Sequence, residues 1–145
     1  YVSGHERTQT DFHQGFILES LWNIAQLVDY TDEDFTRALQ RGLDFYVHHQ
    51  FAKDGQSYFR LPAKMPADIH HQAQGIITLC RMRKFAPGYV SIAKNIAAYT
   101  LKELYDPIHG IFYYRKHRFY TDKTPYIRWG QAWMFLALTE LVDPA

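Results

Sequence analysis

The chain has 145 residues, with sixteen Lys/Arg against fifteen Asp/Glu, 47% hydrophobic and 21% charged residues, and a net charge of +1. That balance excludes a disordered chain and offers no long basic run of the kind that tracks nucleic acid, so no nucleic-acid partner is expected. A single cysteine, Cys80, excludes a disulfide framework and a thiolate metal cluster, and no apolar run is long enough to span a bilayer. No signal peptide is visible, which points to the cytoplasm, although the chain starts at Tyr1 rather than Met and a lost leader stays open. Aromatic residues make up 17%, with eleven Tyr and three Trp. Their polar edges suit a wet groove or a sugar-stacking cleft as well as a core.

Residues 1–10 are polar and without pattern, and read as a loop or approach segment to one domain over 1–145. Asp11 can cap a first helix in which Phe16, Ile17, Leu21, Ile24, Ala25 and Val28 recur at helical spacing. Thr31 can cap the second, with Asp32, Glu33 and Asp34 in its first turn. Phe35, Ala38, Leu39, Leu43, Tyr46 and Val47 then form a single apolar face, so the second helix is one-sided where the first is apolar over more of its circumference. The contrast predicts an inner helix followed by an outer one.

Asp54-Gly55 signals a turn, Ser57–Leu61 reads as a short strand, and Pro62 stops it. Pro66 precedes a third helix, with Asp68 as its cap, running to about Lys84. Ala86-Pro87-Gly88 breaks the chain before an amphipathic helix over 89–105. Asp106–Gly110 makes a turn, Ile111–Arg115 reads as a strand, and Arg118–Tyr120 as its return. Pro125 opens a last, largely apolar helix.

The pattern repeats. GQSYFR (55–60) matches GIFYYR (110–115) at a shift of 55, and Pro66 and Gln72 match Pro125 and Gln131 at a shift of 59. Each unit is an inner helix, an outer helix and a hairpin-like loop, which stacks into a solenoid or a closed ring. A closed ring of six hairpins needs about twice this length. The expectation is therefore part of a larger ring, with a self-standing five-helix domain as the alternative.

Three segments, DFHQGFILESLW (11–22), DIHHQAQGIITL (68–79) and FYTDKTPYIRWGQAWMFLAL (119–138), together resemble bacterial proteins of polysaccharide biosynthesis clusters. The resemblance runs from Asp11 nearly to the end and corresponds to the C-terminal part of such proteins. It implies the six-hairpin (α/α) toroid of many glycoside hydrolases, epimerases and polysaccharide lyases. The expected fold is thus all-α, about half of such a ring, with short β-hairpin-like loops between units. The family's own reaction is poorly defined.

In such a toroid the first turns of the inner helices face the mouth of a funnel. They would present Asp11, His13 and Gln14; Asp68, His70, His71, Gln72 and Gln74; and Tyr126, Arg128, Trp129, Gln131 and Trp133. The loops add Tyr58, Arg60, Tyr114 and Arg115. Trp and Tyr faces stack on pyranose rings, Gln and His bond hydroxyls, and Arg pairs with carboxylate or phosphate. Asp11, His13, Asp68, His70 and His71 are the candidate acid–base residues. Against these stand plainer readings: Asp11 and Asp68 as helix caps, the glutamines as ties between loops and helix ends, and Trp133 as core. Adjacent His70 and His71 diverge by about 100° on a helix, so one ion is not easily shared and no metal is expected. No cofactor is called for.

Glycoside hydrolysis wants two carboxyl groups roughly 5–10 Å apart. A capping Asp makes a poor general acid, and the residues fit proton abstraction by a lyase or epimerase slightly better. The expected function is carbohydrate processing in surface polysaccharide assembly, with an oligosaccharide or polysaccharide as ligand and the rest of the ring, or a second copy, as partner. The alternatives are a sugar-binding subunit without turnover and a helical repeat that docks a protein.

Overall fold

The computed structural model describes residues 12–29 and 32–142. Its helices are α1 (Phe12–Leu27), α2 (Glu33–His49), α3 (Ile69–Arg81), α4 (Tyr89–Leu104) and α5 (Ala132–Val142). Short strands lie between them: β1 (Ala67–Asp68), β2 (Tyr105–Asp106), β3 (Ile111–Phe112), β4 (Arg115–Lys116) and β5 (Thr121–Asp122). The chain is thus helix-rich but not purely helical. Its two small antiparallel sheets have the orders β1-β4-β5 and β2-β3.

Helix α3 is the centre. Every residue from Ile69 to Cys80 is buried. Helices α1 and α5 flank it, α4 packs along it, and α2 backs onto α1. Among the described helices α3 is the one buried on all sides; α1 and α5, expected as inner helices too, leave Ile17, Leu21, Ile24 and Phe135 exposed. Outer helix α2 buries one face only, through Leu39, Leu43 and Tyr46, and α4 buries Ala93, Ile96, Ala97, Thr100 and Leu104. Gly15 lets α1 approach α3 closely, because a Cβ there would meet the Thr78 hydroxyl and the Tyr46 phenol. Cys80 lies in this core, where burial pushes its thiol up to about 11. It is inert as a nucleophile at neutral pH.

Burying a helix on all sides obliges its polar side chains to find partners inside the protein. Gln72 meets the obligation through the preceding loop: its Oε1 accepts from Ser57 N at 2.7 Å, and its Nε2 donates to the Gly55 carbonyl and Thr100 Oγ1, both at 3.1 Å. Gln131 does the same for the next loop, accepting from Phe112 N at 2.9 Å and donating to the Phe112 carbonyl at 2.7 Å. The two ties stand at the sequence shifts noted above, 59 between the glutamines and 55 between Ser57 and Phe112. Gly55 supplies the left-handed turn in the first loop, with φ of 91° and no room for a Cβ beside the Asn95 carbonyl.

At the far end of α3, Gln74 Nε2 (2.6 Å), Thr78 Oγ1 (2.5 Å) and Arg81 (2.9 Å) all donate to the buried Glu19 carboxylate. Arg81 also binds Glu140 at 2.6 and 2.8 Å, so one charged network joins α1, α3 and α5.

Several boundaries differ from the sequence expectation. Asp11 and Thr31 lie outside the described residues, and the cap of α2 is Asp32, whose carboxylate accepts from Asp34 N at 2.6 Å. Ser57–Leu61 is not a strand. It makes two isolated bridges, Phe51 with Ser57 and Arg60 with Ala63, because its Ser57 amide is taken by Gln72. Helix α3 stops at Arg81, where Met82 to Phe85 tighten into turns. The strand over 111–115 splits into β3 and β4, since Tyr114 turns its carbonyl to the Ile69 amide at the start of α3. The return strand is Thr121–Asp122, and Arg118–Tyr120 form the turn closed by His117 N to the Tyr120 carbonyl. The last helix begins not at Pro125 but as a π-helical turn over Ile127–Gln131.

Burial sets the cost of losing each glutamine tie. Gln72 is fully buried and Gln131 only half so. Gln72→Ala, which strands the Ser57 amide and Gly55 carbonyl away from water, is expected to cost about 3 kcal/mol in urea unfolding, and Gln131→Ala about 1 kcal/mol. Equal losses would show that burial does not set the cost.

Candidate functional site

The candidate site is built at the N-terminal end of α3, where β1 pairs with β4 (Ala67 with Lys116, Asp68 with Arg115). Asp68 caps α3, accepting from His70 N at 2.8 Å, and its other oxygen accepts from Arg115 Nε at 2.5 Å. Both carboxylate oxygens of this buried residue are therefore engaged, as in the capping reading of the sequence. Its geometry is that of a positioning residue: it fixes the start of α3 and the Arg115 side chain together.

His70 and His71 diverge as helical neighbours must. His70 stacks on Trp129 at 4.3 Å between ring centroids and meets the edge of Trp133 at 5.0 Å, with Phe16 beyond. His71 stacks on Phe59 at 5.1 Å. Burial lowers the pKa of His70, against the pull of the Asp68 charge and a backbone hydrogen bond with Trp129; the His13 charge adds to the lowering. Burial takes His71 down to about 4, opposed by Asp68 and a backbone hydrogen bond with Tyr58, and aided by His70 and Arg115. Both imidazoles are neutral at neutral pH.

The π-helical turn shapes the mouth. Gly130 N and Gln131 N both donate to the Tyr126 carbonyl, and Ala132 N reaches Ile127 O, so the turn is wider than an α turn. It leaves Tyr126, Ile127, Arg128 and Trp129 exposed. With Thr124, Pro125 and Trp133 they wall an open cavity of about 800 Å³. Trp133, one turn further in, is half-buried and contributes to both core and cavity.

A strip of rings and cations continues from this cavity. Tyr126 meets Tyr114 edge-on at 4.9 Å. The Arg115 guanidinium lies over Tyr114 at 4.3 Å and over Phe59 at 5.0 Å, and Arg60 lies over Phe59 at 5.5 Å. The Lys64 ammonium lies over Tyr58 at 5.5 Å.

The structure thus brings together His70, Tyr126, Arg128, Trp129, Tyr114, Arg115 and Arg60, while His71 lies against Phe59 and Tyr58 under Lys64. His13 is exposed on the first turn of α1 and Gln14 is half-buried beside it. Gln72, Gln74 and Gln131 are turned away from the mouth, for the reason given above: buried amides are consumed by loops and by Glu19. Asp11 falls outside the described residues. Phe59 carries more than the sequence reading assigned it, and Glu19, an acid that could have projected into the ring, faces its neighbour α3 instead. The signal for Phe59 was its place in the repeated loop motif, where it precedes Arg60 as Tyr114 precedes Arg115.

Neither family models nor curated protein sequences give a match to this chain. Solved structures do. A crystal structure of D-mannose isomerase matches with a TM-score of 0.71 at 11% identity, over 99% of this chain and 39% of that one. A crystal structure of a sugar epimerase from a ruminal bacterium matches with a TM-score of 0.63 at 12% identity, over 99% of this chain and 41% of that one. The chain spans about two fifths of the length of these structures. At such identities the likeness is one of fold, and the expected helical-toroid architecture fits it.

The depressed imidazoles make the fold acid-sensitive. A folded pKa below the unfolded value gives stability that is present above about pH 6.5 and is lost as pH falls through the folded value. For His71, falling to about 4 in the fold, the loss amounts to about 3 kcal/mol between pH 6.5 and 4. Urea midpoints measured across that window are expected to fall steeply for the wild-type chain and less steeply for His71→Gln. Parallel slopes would contradict the assignment.

Proposed function

We propose that this chain holds a sugar at the mouth formed by the π-helical turn, as part of a carbohydrate-processing protein of isomerase or epimerase type. The observation that carries the reading is the cavity of about 800 Å³ walled by Tyr126, Trp129 and Trp133, with Arg128 on its rim. Its size suits a small ligand, and aromatic faces with one convergent charged group suit a pyranose ring. The likeness in fold to a D-mannose isomerase and a sugar epimerase supports the same ligand class. The setting of surface polysaccharide assembly, implied by the sequence resemblance, belongs to this proposal.

Isomerisation and epimerisation need a base that removes a proton beside a carbonyl, and a cation for the oxyanion that forms. The base in this reading is neutral His70, which lies buried behind Trp129 and reaches a sugar once that ring turns aside. Arg128 supplies the cation. Hydrolysis by paired carboxylates fits less well, because Asp68 has both oxygens engaged. A specific observation also favours a second reading, binding without turnover: the residues that wall the cavity include neither a carboxylate nor an imidazole.

The rest of a ring belongs on the open flank of α1. Ile17, Leu21, Ile24 and Val28 form an exposed apolar stripe there at helical spacing. Either further hairpins or a second copy would cover it.

Titration with neutral and acidic oligosaccharides, followed by tryptophan fluorescence and by product analysis, tests the reading. Trp129→Ala is expected to weaken sugar binding at least about tenfold. His70→Gln should abolish turnover while leaving binding in place, and turnover that survives it would favour another base. A chain that binds no sugar at all would leave the docking-repeat reading standing.

A further inference from the structure

We propose that the ligand of this mouth is an acidic oligosaccharide, one anionic sugar unit sitting in the cavity at Arg128 and its neighbours lying along the strip of Tyr114, Arg115, Phe59 and Arg60. The inference rests on the sugar-binding reading and names its substrate class. Three observations carry it.

Charge is distributed unevenly along the chain. Residues 58–68 and 113–128, which build the mouth and its rim, hold seven Lys/Arg against two Asp, whereas the rest of the chain holds nine against thirteen. A chain of net charge +1 therefore presents a cationic rim on an otherwise acidic body. Fields of this kind concentrate anions at a cleft.

The cations of the rim are held in two ways: Arg115 pairs with Asp68 and Lys116 with Glu103, whereas others lie over rings. Elsewhere, Arg37 pairs with Asp34 and Arg81 with Glu19 and Glu140. On the rim, Arg60 lies over Phe59, Lys64 over Tyr58 and Arg118 over Phe119. Among the described residues, Arg60, Arg118 and Arg128 form no ion pair with a carboxylate. A guanidinium stacked on a ring is fixed in place while the N–H donors in its plane stay available. That arrangement prepares a two-pronged contact with a carboxylate or phosphate without spending the charge on the protein itself.

The spacing of rings and cations is continuous as well. Each ring–ring and ring–cation step from Tyr126 through Tyr114, Arg115 and Phe59 to Arg60 is a direct contact. Arg115 already pairs with Asp68, and Asp122 stands opposite it in the β4–β5 register. Arg128 and Arg60, at the two ends, are thus the groups open to a ligand, and an alternation of ring and charge suits a chain of sugar rings bearing charges.

The test uses the full chain and intrinsic tryptophan fluorescence, with Trp129 as the reporter. The probes are a uronate trisaccharide, its carboxyl-reduced form, a hexose phosphate and a single-stranded oligonucleotide, each at low and at moderate salt. The uronate is expected to bind at least about tenfold more tightly than its reduced form, with an advantage that shrinks as salt rises. Arg128→Gln should erase most of that advantage, and Arg60→Gln part of it. Preference for the hexose phosphate over the uronate would assign the anion as phosphoryl and keep the proposal. Equal affinity for the uronate and its reduced form would overturn the proposal and leave the sugar mouth intact. No binding of any sugar would sink both, and equal binding of the oligonucleotide and the uronate would show an unselective polyanion surface and overturn it.

Discussion

The structure depends on one constraint, the burial of α3 from Ile69 to Cys80. A helix that shows no face to water must be apolar or must have its polar groups met by the protein. Between Ile69 and Arg81 the sequence is far from apolar: it carries two histidines, two glutamines and a threonine. Each of these recruits another element. Gln72 recruits the loop at Gly55–Ser57, Gln74 and Thr78 recruit Glu19 of α1, and His70 and His71 recruit aromatic rings from the π turn and from the first loop. The polar content of α3 is therefore what arranges its surroundings.

The two ends of α3 solve the problem differently. At the C-terminal end the solution is ionic. Glu19 is buried, and burial raises its pKa despite hydrogen bonds from Thr78 and Arg81. Such a carboxylate is costly to desolvate, and removing its partner is costlier still. Arg81 keeps part of its surface in water and serves Glu140 as well, so the network closes that end with little left over. At the N-terminal end the solution is aromatic. Rings cover the imidazoles, and because rings stack by their faces, their edges and outer faces remain for other use.

Much of this was legible in the sequence and some was not. The helices, the one-sided burial of α2 and the Asp68 cap followed from hydrophobic period and from capping chemistry. The repeat of Gln72 and Gln131 was visible as spacing, and its physical content, an amide clamping the peptide of the preceding loop, was among the readings open for it. The π turn was not legible: Pro125 and the apolar run after it announce a helix, but nothing local sets the width of its first turn. The strand boundaries failed for a related reason. Two-residue strands are fixed by where a distant amide or carbonyl is needed, as Tyr114 is needed by Ile69, rather than by any pattern of their own. From sequence Glu19 could project into the ring or face a neighbour, and only the placement of Arg81, sixty-two residues away, decides for the neighbour.

The start of a buried helix could itself have been an anion site, since its free amides carry partial positive charge. Here that option is closed. The Ile69 amide donates to the Tyr114 carbonyl and the His70 amide to Asp68. The hairpin that seals the helix start is the same one that carries Arg115 and leads into the π turn. Recognition of charge at this end must then come from side chains, and the hairpin supplies them where the backbone no longer can. Asp68 links the two roles: by capping α3 it removes the helix terminus from the site, and by holding Arg115 it sets the middle of the cationic strip. A ligand would meet guanidinium groups and rings in fixed positions, with the helix dipole already spent on the protein's own carboxylate.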